Sequence, residues 1–387
     1  MSESNAVQTA FVRESTEGTT PASNLLEVLL TGGALSAPQT FIRSNQIRTD
    51  GQKGPAKRVA QDPAARLDFE WSATAFDELL RGGIRSDSDW STTVSIAATD
   101  IAATSVGNKF TTTVTALTTN VAVGQWVKVA GFLTAANNGW FRVVSVSTYQ
   151  LVVAGGTLAI EAAGNAVTIK GSYIRNGADL PSYTIQQEFT DLTNRFRVGK
   201  GMKISGWNAN FNPRSIINAA FNFQGMTCAQ AATTAGTGVT AATGGEVMSE
   251  VDAVEEVWID LAAVAWDLTT FRFGVATPTR PRSALGSLSK LGIGLGNLNL
   301  TGHLETYLDD DSWSVETDYL AGTKFGLAIA FVDEDGLSYL VEMPRIVLST
   351  EPGSLSGPDA DNMYAFDFEA EPGSAQDVTI QICRTNS

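Results

Sequence analysis

The segment RLDFEWSA, residues 66–73, sets Leu67, Phe69 and Trp71 against Asp68 and Glu70. A period of two sends alternate side chains to opposite faces of an extended chain, so this segment is a strand with one face buried. The pattern constrains the fold because it keeps recurring. It returns in SYTIQQEFTDL, in RFRVGKGMKISGWNANFN, where Met202, Ile204 and Gly206 oppose Lys203 and Ser205, and in SIINAAFNFQGM. Further strands are expected in LTTFRFGVA, LGIGLGNLNLTGHLETYL, KFGLAIAFV, LSYLVEMPRIVLS, MYAFDFEAEP and DVTIQICR, with a hairpin turn at Asp335–Gly336. Regular short strands with few helical patterns predict a mainly β chain, folded as a sandwich or barrel.

Four stretches depart from this rhythm. Residues 1–20 read as disordered or arm-like. TPASNLLEVLLTGGAL predicts a short helix or turn, capped by Ser23 or Asn24 and stopped at Gly32–Gly33. TAFDELLRGG predicts a short amphipathic helix ending at Gly82. The low-complexity AQAATTAGTGVTAATGG predicts a flexible surface loop.

Residues 92–171 change character. They hold only four basic and two acidic residues and are rich in Thr, Val and Ala. GQWVKVAGFLTAANNGWFRVVSVSTYQLVVAGG reads as short strands joined by Gly and Asn turns, with Asn138–Gly139 as a hairpin signal. The expected organisation is therefore a first part over 1–91, a small all-β module (Ig-like or a small barrel) inserted over 92–171, and a second part over 172–387.

Charge is concentrated. Residues 301–387 carry three basic and seventeen acidic side chains, which supplies nearly all of the net −15. Such asymmetry points to a surface with an electrostatic task. Binding DNA needs cations and stacking aromatics on one face, and this quarter has the opposite sign. The opening MSESNAVQTAFVRESTEGTT lacks the basic and apolar regions of a secretory signal. The longest apolar run, Phe325–Val332, falls far short of the ~20 residues of a membrane span. Cys228 and Cys383 form no disulfide or zinc framework and are expected as free buried thiols in a protein made in a reducing cytoplasm.

Catalysis finds no support. His303 is the one histidine and is read as a surface strand residue. No G-x-S-x-G, H-E-x-x-H or Walker A motif occurs: GQKGPAKR lacks the spacing, and GIGLGN ends on Asn297. The carboxylate clusters Asp309–Asp310–Asp311 with Glu316 and Asp318, and Asp333–Glu334–Asp335, miss the calcium-loop pattern and read as solvated turns. No catalytic residue, cofactor or metal is expected.

SNQIRTDGQKGPAKR runs against the overall charge, with Arg48, Lys53, Lys57 and Arg58, flanked by Arg43. Ordering so polar and glycine-rich a loop costs conformational entropy. TEGTTPASNLLEVLLTGGAL, this SNQIRTDGQ and LDFEWSATAFDELLRG together resemble the opening of the tail tube proteins of long-tailed, non-contractile bacteriophages. SYTIQQEFTDLTNRFRVGKGMKISGWNANFNPRSIINAAFNFQGM, GHLETYLDDDSWSVETDYLAGTKFGLAIAFVDEDGLSYLVEMPRIVLS and YAFDFEAEPGSAQDVTIQICR are similar to later parts of that family, in the same order. The resemblance covers residues 10–90 and 172–387, and 92–171 looks like an insertion on the outer surface.

The resemblance implies a β-sandwich subunit in hexameric rings, stacked into a virion tube that conducts double-stranded DNA. It implies tail terminator, tape measure and baseplate proteins as partners, and assembly in the host cytoplasm without membrane insertion. Elementary physics agrees that exposed strand edges must be paired, covered or charged, and that neighbouring copies can pair them. On this reading Arg43, Arg48, Asp50, Lys53, Lys57 and Arg58 form an intersubunit loop, mobile before assembly. Glu188, Asp191 and Glu305, on alternating patterns, are the expected acidic lining of the bore, with the tri-aspartate as a turn or ring-to-ring contact. The competing expectation is a virion adhesin that binds carbohydrate through the module, with Trp90, Trp126, Trp140 and Tyr149 as stacking faces.

Overall fold

In a computed structural model, residues 7–13 form not an arm but a strand inside a sheet. The structure describes residues 3–385 apart from 244–245, 249–253, 265, 311, 352, 354–357, 359 and 374–375. The first part contains β1 (Val7–Arg13), β2 (Leu25–Val28), β3 (Gly32–Ser36), β4 (Gln39–Arg43), β5 (Ala56–Gln61), β6 (Ala64–Glu70) and helix α1 (Asp77–Gly83). The second run holds β7 (Val94–Ala98), β8 (Ala102–Thr104), β9 (Lys109–Thr111), β10 (Trp126–Ala130), β11 (Gly139–Ser147), β12 (Gln150–Ala154) and β13 (Val167–Arg175). Then come β14 (Tyr183–Phe189), β15 (Phe196–Phe211), β16 (Asn218–Gln224), β17 (Thr227–Ala231), β18 (Val239–Thr240), β19 (Val254–Ile259), β20 (Ala262–Val264) and β21 (Leu268–Ala276). The chain continues through β22 (Thr279–Arg282), β23 (Gly292–Leu295), β24 (Asn299–Tyr307), α2 (Ser314–Ala321), β25 (Phe325–Val332), β26 (Ser338–Leu348), β27 (Met363–Ala370) and β28 (Gln381–Arg384). The fold is mainly β, as the alternation predicts.

The long strand β15 organises two layers. Its first half pairs with β14 and β17, and β14 continues through β1 and β2 to β18. Beyond an irregularity between Ile204 and Gly206, its second half pairs with β16 and β21. That second layer runs from β3 and β6 through β16, β15, β21, β24, β27, β26 and β25 to β19 and β20. It curls: Trp71, just past the end of β6, sits 5.1 Å from Phe331 of β25 and 5.7 Å from Tyr339 of β26, ring centre to ring centre. Trp71, Trp207, Phe221 and Phe331 fill the enclosed core. Burying one such indole, ~150–250 Å² of surface, stabilises the fold by about 4–6 kcal/mol before ordering costs.

Several local expectations change. The segment around Leu25 and Leu35 makes strands, because Leu25 and Val28 are buried in β2 between β1 and β18. An apolar run this short fits helix or strand locally, and pairing decides. Gly33 stops no helix; a Cβ there would come within 2.7 Å of the Arg66 carbonyl across the β3–β6 pair. The low-complexity stretch overlaps the end of β17 and contains the two-residue β18, and the Gln186 Oε1 accepts hydrogen bonds from Ala235 N and Thr234 Oγ1. Asn138–Gly139 is not the two-residue turn of its hairpin. The β10–β11 connection is longer, and the Asn138 side chain bonds back to Phe132 N and O. Asp335–Gly336 does turn β25 into β26, with Gly336 at φ +82°. Helix α2 was not foreseen. The alternation around Met202 holds for Ile204, but Lys203 is buried too.

Residues 94–169 enclose a hydrophobic cluster of their own, built on Phe110, Val127, Phe141, Val143, Leu151 and Ile169. β13 links the two bodies: it pairs with β7 and β10 over residues 167–171, and from Ser172 to Arg175 it pairs with β28. Cys228 and Cys383 are free and buried.

Candidate assembly surfaces

The basic segment folds into a hairpin. β4 and β5 pair only with each other among the described residues, forming a two-stranded ribbon that leaves the body where β3 ends and returns where β6 begins. Arg43, Lys57 and Arg58 therefore lie on strands, while Arg48, Asp50 and Lys53 lie in the tip. All six side chains are exposed. Alternate residues of a ribbon face opposite ways, yet Phe41 and Ile42 are both 57 % exposed, so neither face is packed. Ile47, at the tip, is wholly exposed. Within the tip the Arg48 guanidinium grips Asp50, with Nε 2.9 Å from Oδ1, and holds that carboxyl below the usual carboxylate range. Asp50 also accepts a hydrogen bond from Gln52 N. Asp50 thus shapes the tip instead of facing outward alone.

A second ribbon, β22–β23, lies beside the first; β23 falls within the strand expected in LGIGLGNLNLTGHLETYL, whereas β22 was not expected. Gln61 N donates to Leu288 O at 3.1 Å, and Lys290 Nζ lies 3.2 Å from Asp62. Its turn exposes Leu285 completely. The signal in the sequence is the Arg280–Pro281–Arg282 triplet before a Gly- and Ser-rich turn.

Both ribbons emerge at one end of the second layer. β22 follows directly on the end of β21, and the β16–β6 register places Ala64 opposite Gln224 at the same end. The opposite end holds the start of β21, the end of β24 and α2. Residues 39–62 and 279–295 carry eight basic and two acidic side chains, whereas residues 305–318 carry six acidic and none basic. The protein is electrostatically polar along these strands.

The acidic candidates are not brought together. Glu188 is half-buried on β14 between Gln8 and Phe196, in the first layer. Asp191 lies beyond the strand end, exposed, accepting from Glu3 N at 2.8 Å. Glu305 sits in the second layer on β24, half-buried, with Thr270 Oγ1 3.4 Å from its carboxylate. In the tri-aspartate, Asp309 begins a turn, accepting from Ser312 N at 2.8 Å, and residue 311 lies outside the described residues. His303 is a half-buried strand residue whose Nδ1 is 2.7 Å from Asp367.

The module is fastened tightly. Trp126 and Trp140 are buried against Trp258, Ala328, Ala330 and Leu340 of the main body. Trp140 Nε1 donates to Glu255, Lys128 pairs with the same carboxylate, and the Arg142 Nε lies 2.7 Å from Glu342. Trp90 lies under the Arg384 guanidinium, 4.2 Å away. Of the four aromatics considered as stacking faces, only Tyr149 is exposed.

Near the root of the module, burial pushes the Glu78 carboxyl up to about 7 despite Arg13 beside it. No group of three or more potential metal ligands occurs among the described residues, and no helix there is long and apolar enough to cross a membrane.

Curled sheets, protruding ribbons and oppositely charged ends define a mainly β protein whose candidate sites are surfaces. A family model described as phage tail tube protein matches residues 4–370, and the chain belongs to that family. It is a structural protein of a bacteriophage tail, located in the virion with other tail proteins. No curated protein matches the chain.

Proposed function

We propose that this protein assembles into hexameric rings that stack into the tail tube and pass double-stranded DNA through an acidic bore during ejection into the host. The observation that carries this reading is the β4–β5 ribbon. A lone two-stranded hairpin is marginally stable in water, and this one offers five cations and apolar side chains on both faces. Docked on the acidic end of a neighbour, it gains partners for both. β3, β17, β18 and β20 are each paired on one side among the described residues, which leaves edges for neighbouring copies. A head-to-tail contact that closes gives a ring, and a second along the axis gives a tube.

The net charge of −15 suits a conduit. DNA carries a charge about every 1.7 Å along its axis, and a cationic wall would hold it. One like-charge pair at about 10 Å in water is worth only ~0.4 kcal/mol. Screening over about 8 Å weakens it further. Repeated around every ring, such contacts still keep the duplex off the wall. Glu188, Asp191 and Glu305 are the proposed lining. The nearly uncharged module sits outside the bore. Tail terminator, tape measure and baseplate proteins cap and fill the tube, and assembly takes place in the host cytoplasm. The adhesin reading loses its basis, since Trp126 and Trp140 are core residues.

Reversing Arg48 and Arg58 to Glu is expected to abolish tubes in negative-stain images of concentrated protein while the circular dichroism of the monomer stays unchanged. Tubes of normal length from that variant would remove the ribbon from the assembly.

A further inference from the structure

We infer that the apolar cavity at the start of β21 receives Ile47 from the β4–β5 ribbon of a second copy of this chain. The assignment rests on the assembly reading above and names the surface that reading leaves open.

The cavity, about 350 Å³, is walled by Phe211, Val257, Trp266, Leu268, Phe271 and Ile329. Asp267, which is exposed, and Tyr307, which is 42 % exposed, also line it. Beyond Tyr307, after Leu308, the chain continues into Asp309 and Asp310. An apolar pit with an exposed aspartate in its lining, next to an acidic stretch of chain, asks for an occupant with an apolar point and a cationic collar. The ribbon tip is such an object: Ile47 is fully exposed, and Arg43, Arg48 and Lys53 surround it in sequence.

The placement of the two surfaces also fits. The cavity opens at Leu268–Phe271, the first residues of β21, and the ribbons project beyond Ala276, its last. From Phe271 to Ala276 the strand advances about 17 Å at ~3.3 Å per residue. Donor and acceptor therefore occupy opposite ends of one rigid strand, so each copy can give at one end and receive at the other. Such a contact cannot be satisfied within a single copy, and it propagates along one direction. A fully exposed isoleucine beside exposed Phe41 and Ile42 marks an interaction surface more than ordinary scatter.

The test joins Ile47→Cys with Tyr307→Cys in the full chain. Assembled under mild oxidation, the double variant should give a ladder of covalent dimers, trimers and longer chains, absent from either single variant and from dilute protein. Tubes without a ladder overturn the pocket assignment, and so does a ladder obtained instead with Leu285→Cys and Tyr307→Cys. Where the cysteines themselves stop assembly, charge exchange decides. Lys53→Glu and Asp267→Lys should each lose tubes, and the pair together should regain them; failure to regain overturns the assignment. These arms separate the two claims. If Arg48→Glu with Arg58→Glu leaves tubes intact, the ribbon reading falls. If that variant blocks tubes but no 47–307 link forms, only the pocket falls.

Discussion

Lys203 Nζ lies 3.0 Å from Glu17 Oε2 and 2.8 Å from the Ile293 carbonyl, buried where the β1–β2 connection, β15 and β23 meet. Glu17 closes the triangle by accepting from Ile293 N at 3.1 Å. One ammonium thus ties the second ribbon to the body.

Removing that ammonium leaves a carboxylate and a carbonyl without their donor in a half-buried site. Lys203→Ala is expected to cost about 3 kcal/mol, since breaking a buried ion pair strands its partner. Because β22–β23 loses its tether, the variant should also be cut faster by protease within residues 283–291. Thermal denaturation and limited proteolysis check the two effects.

Glu14 offers a sharper chemical test. Its buried carboxylate accepts from Thr184 Oγ1 and Gly201 N on one oxygen, and from Ser182 Oγ and Gly18 N on the other. In Glu14→Gln, whichever side takes the amide nitrogen confronts one hydroxyl and one backbone N–H. The hydroxyl can rotate to accept, but the N–H cannot. A loss of about 1–3 kcal/mol in denaturant unfolding is expected from the stranded donor.

Glu78 should give the protein a pH-dependent stability. Its folded pKa of about 7 lies above the 4.5 of the unfolded chain, with burial as the main cause. Folding then favours the protonated form, so the contribution is complete below pH 4.5 and is lost as pH rises through about 7. The swing is at most about 3 kcal/mol, at 1.36 kcal/mol per unit. Unfolding curves at pH 5 and pH 8 should differ in wild type and converge in Glu78→Gln, whose side chain stays neutral. An unchanged gap in the variant would assign the pH dependence to other groups.

The strands were legible because alternation is a local property: Leu67, Phe69 and Trp71 announce a buried face whatever the chain does elsewhere. Helix α1 was legible for the same reason. The misreadings share one cause. Whether Leu25–Val28 becomes helix or strand depends on β1 and β18, which are close in space but lie up to 215 residues away in sequence. Lys203 looks like a solvent-facing residue until Glu17 and β23 cover it. The cationic run around Arg48 was visible, yet its hairpin shape was not, because β4 and β5 have no buried face to imprint a period. Trp126 and Trp140 looked available for a ligand, since nothing in 92–171 reveals that Trp258 and Leu340 close over them.

That closure makes excision of the module informative. Ser91 N donates to Tyr173 O at 2.9 Å, and Ser172 Oγ donates to Ser91 O at 2.7 Å, so the module's entry and exit are already adjacent. A short Gly-Ser link can replace residues 92–171 without stretching the body. The excision nevertheless uncovers Trp258, Ala328, Ala330 and Leu340, a contiguous apolar face. It also strands the Glu342 carboxylate, which loses Arg142 but keeps Gln381. The excised chain is therefore expected to aggregate. Adding Trp258→Gln, Leu340→Thr and Glu342→Gln should return it to solution, because those changes make the face polar and remove the stranded charge. Size-exclusion chromatography of the two chains checks this. If the repaired chain still forms tubes in negative stain, the module is an attachment to a self-sufficient tube subunit. If it stays monodisperse and folded but forms none, the module takes part in assembly.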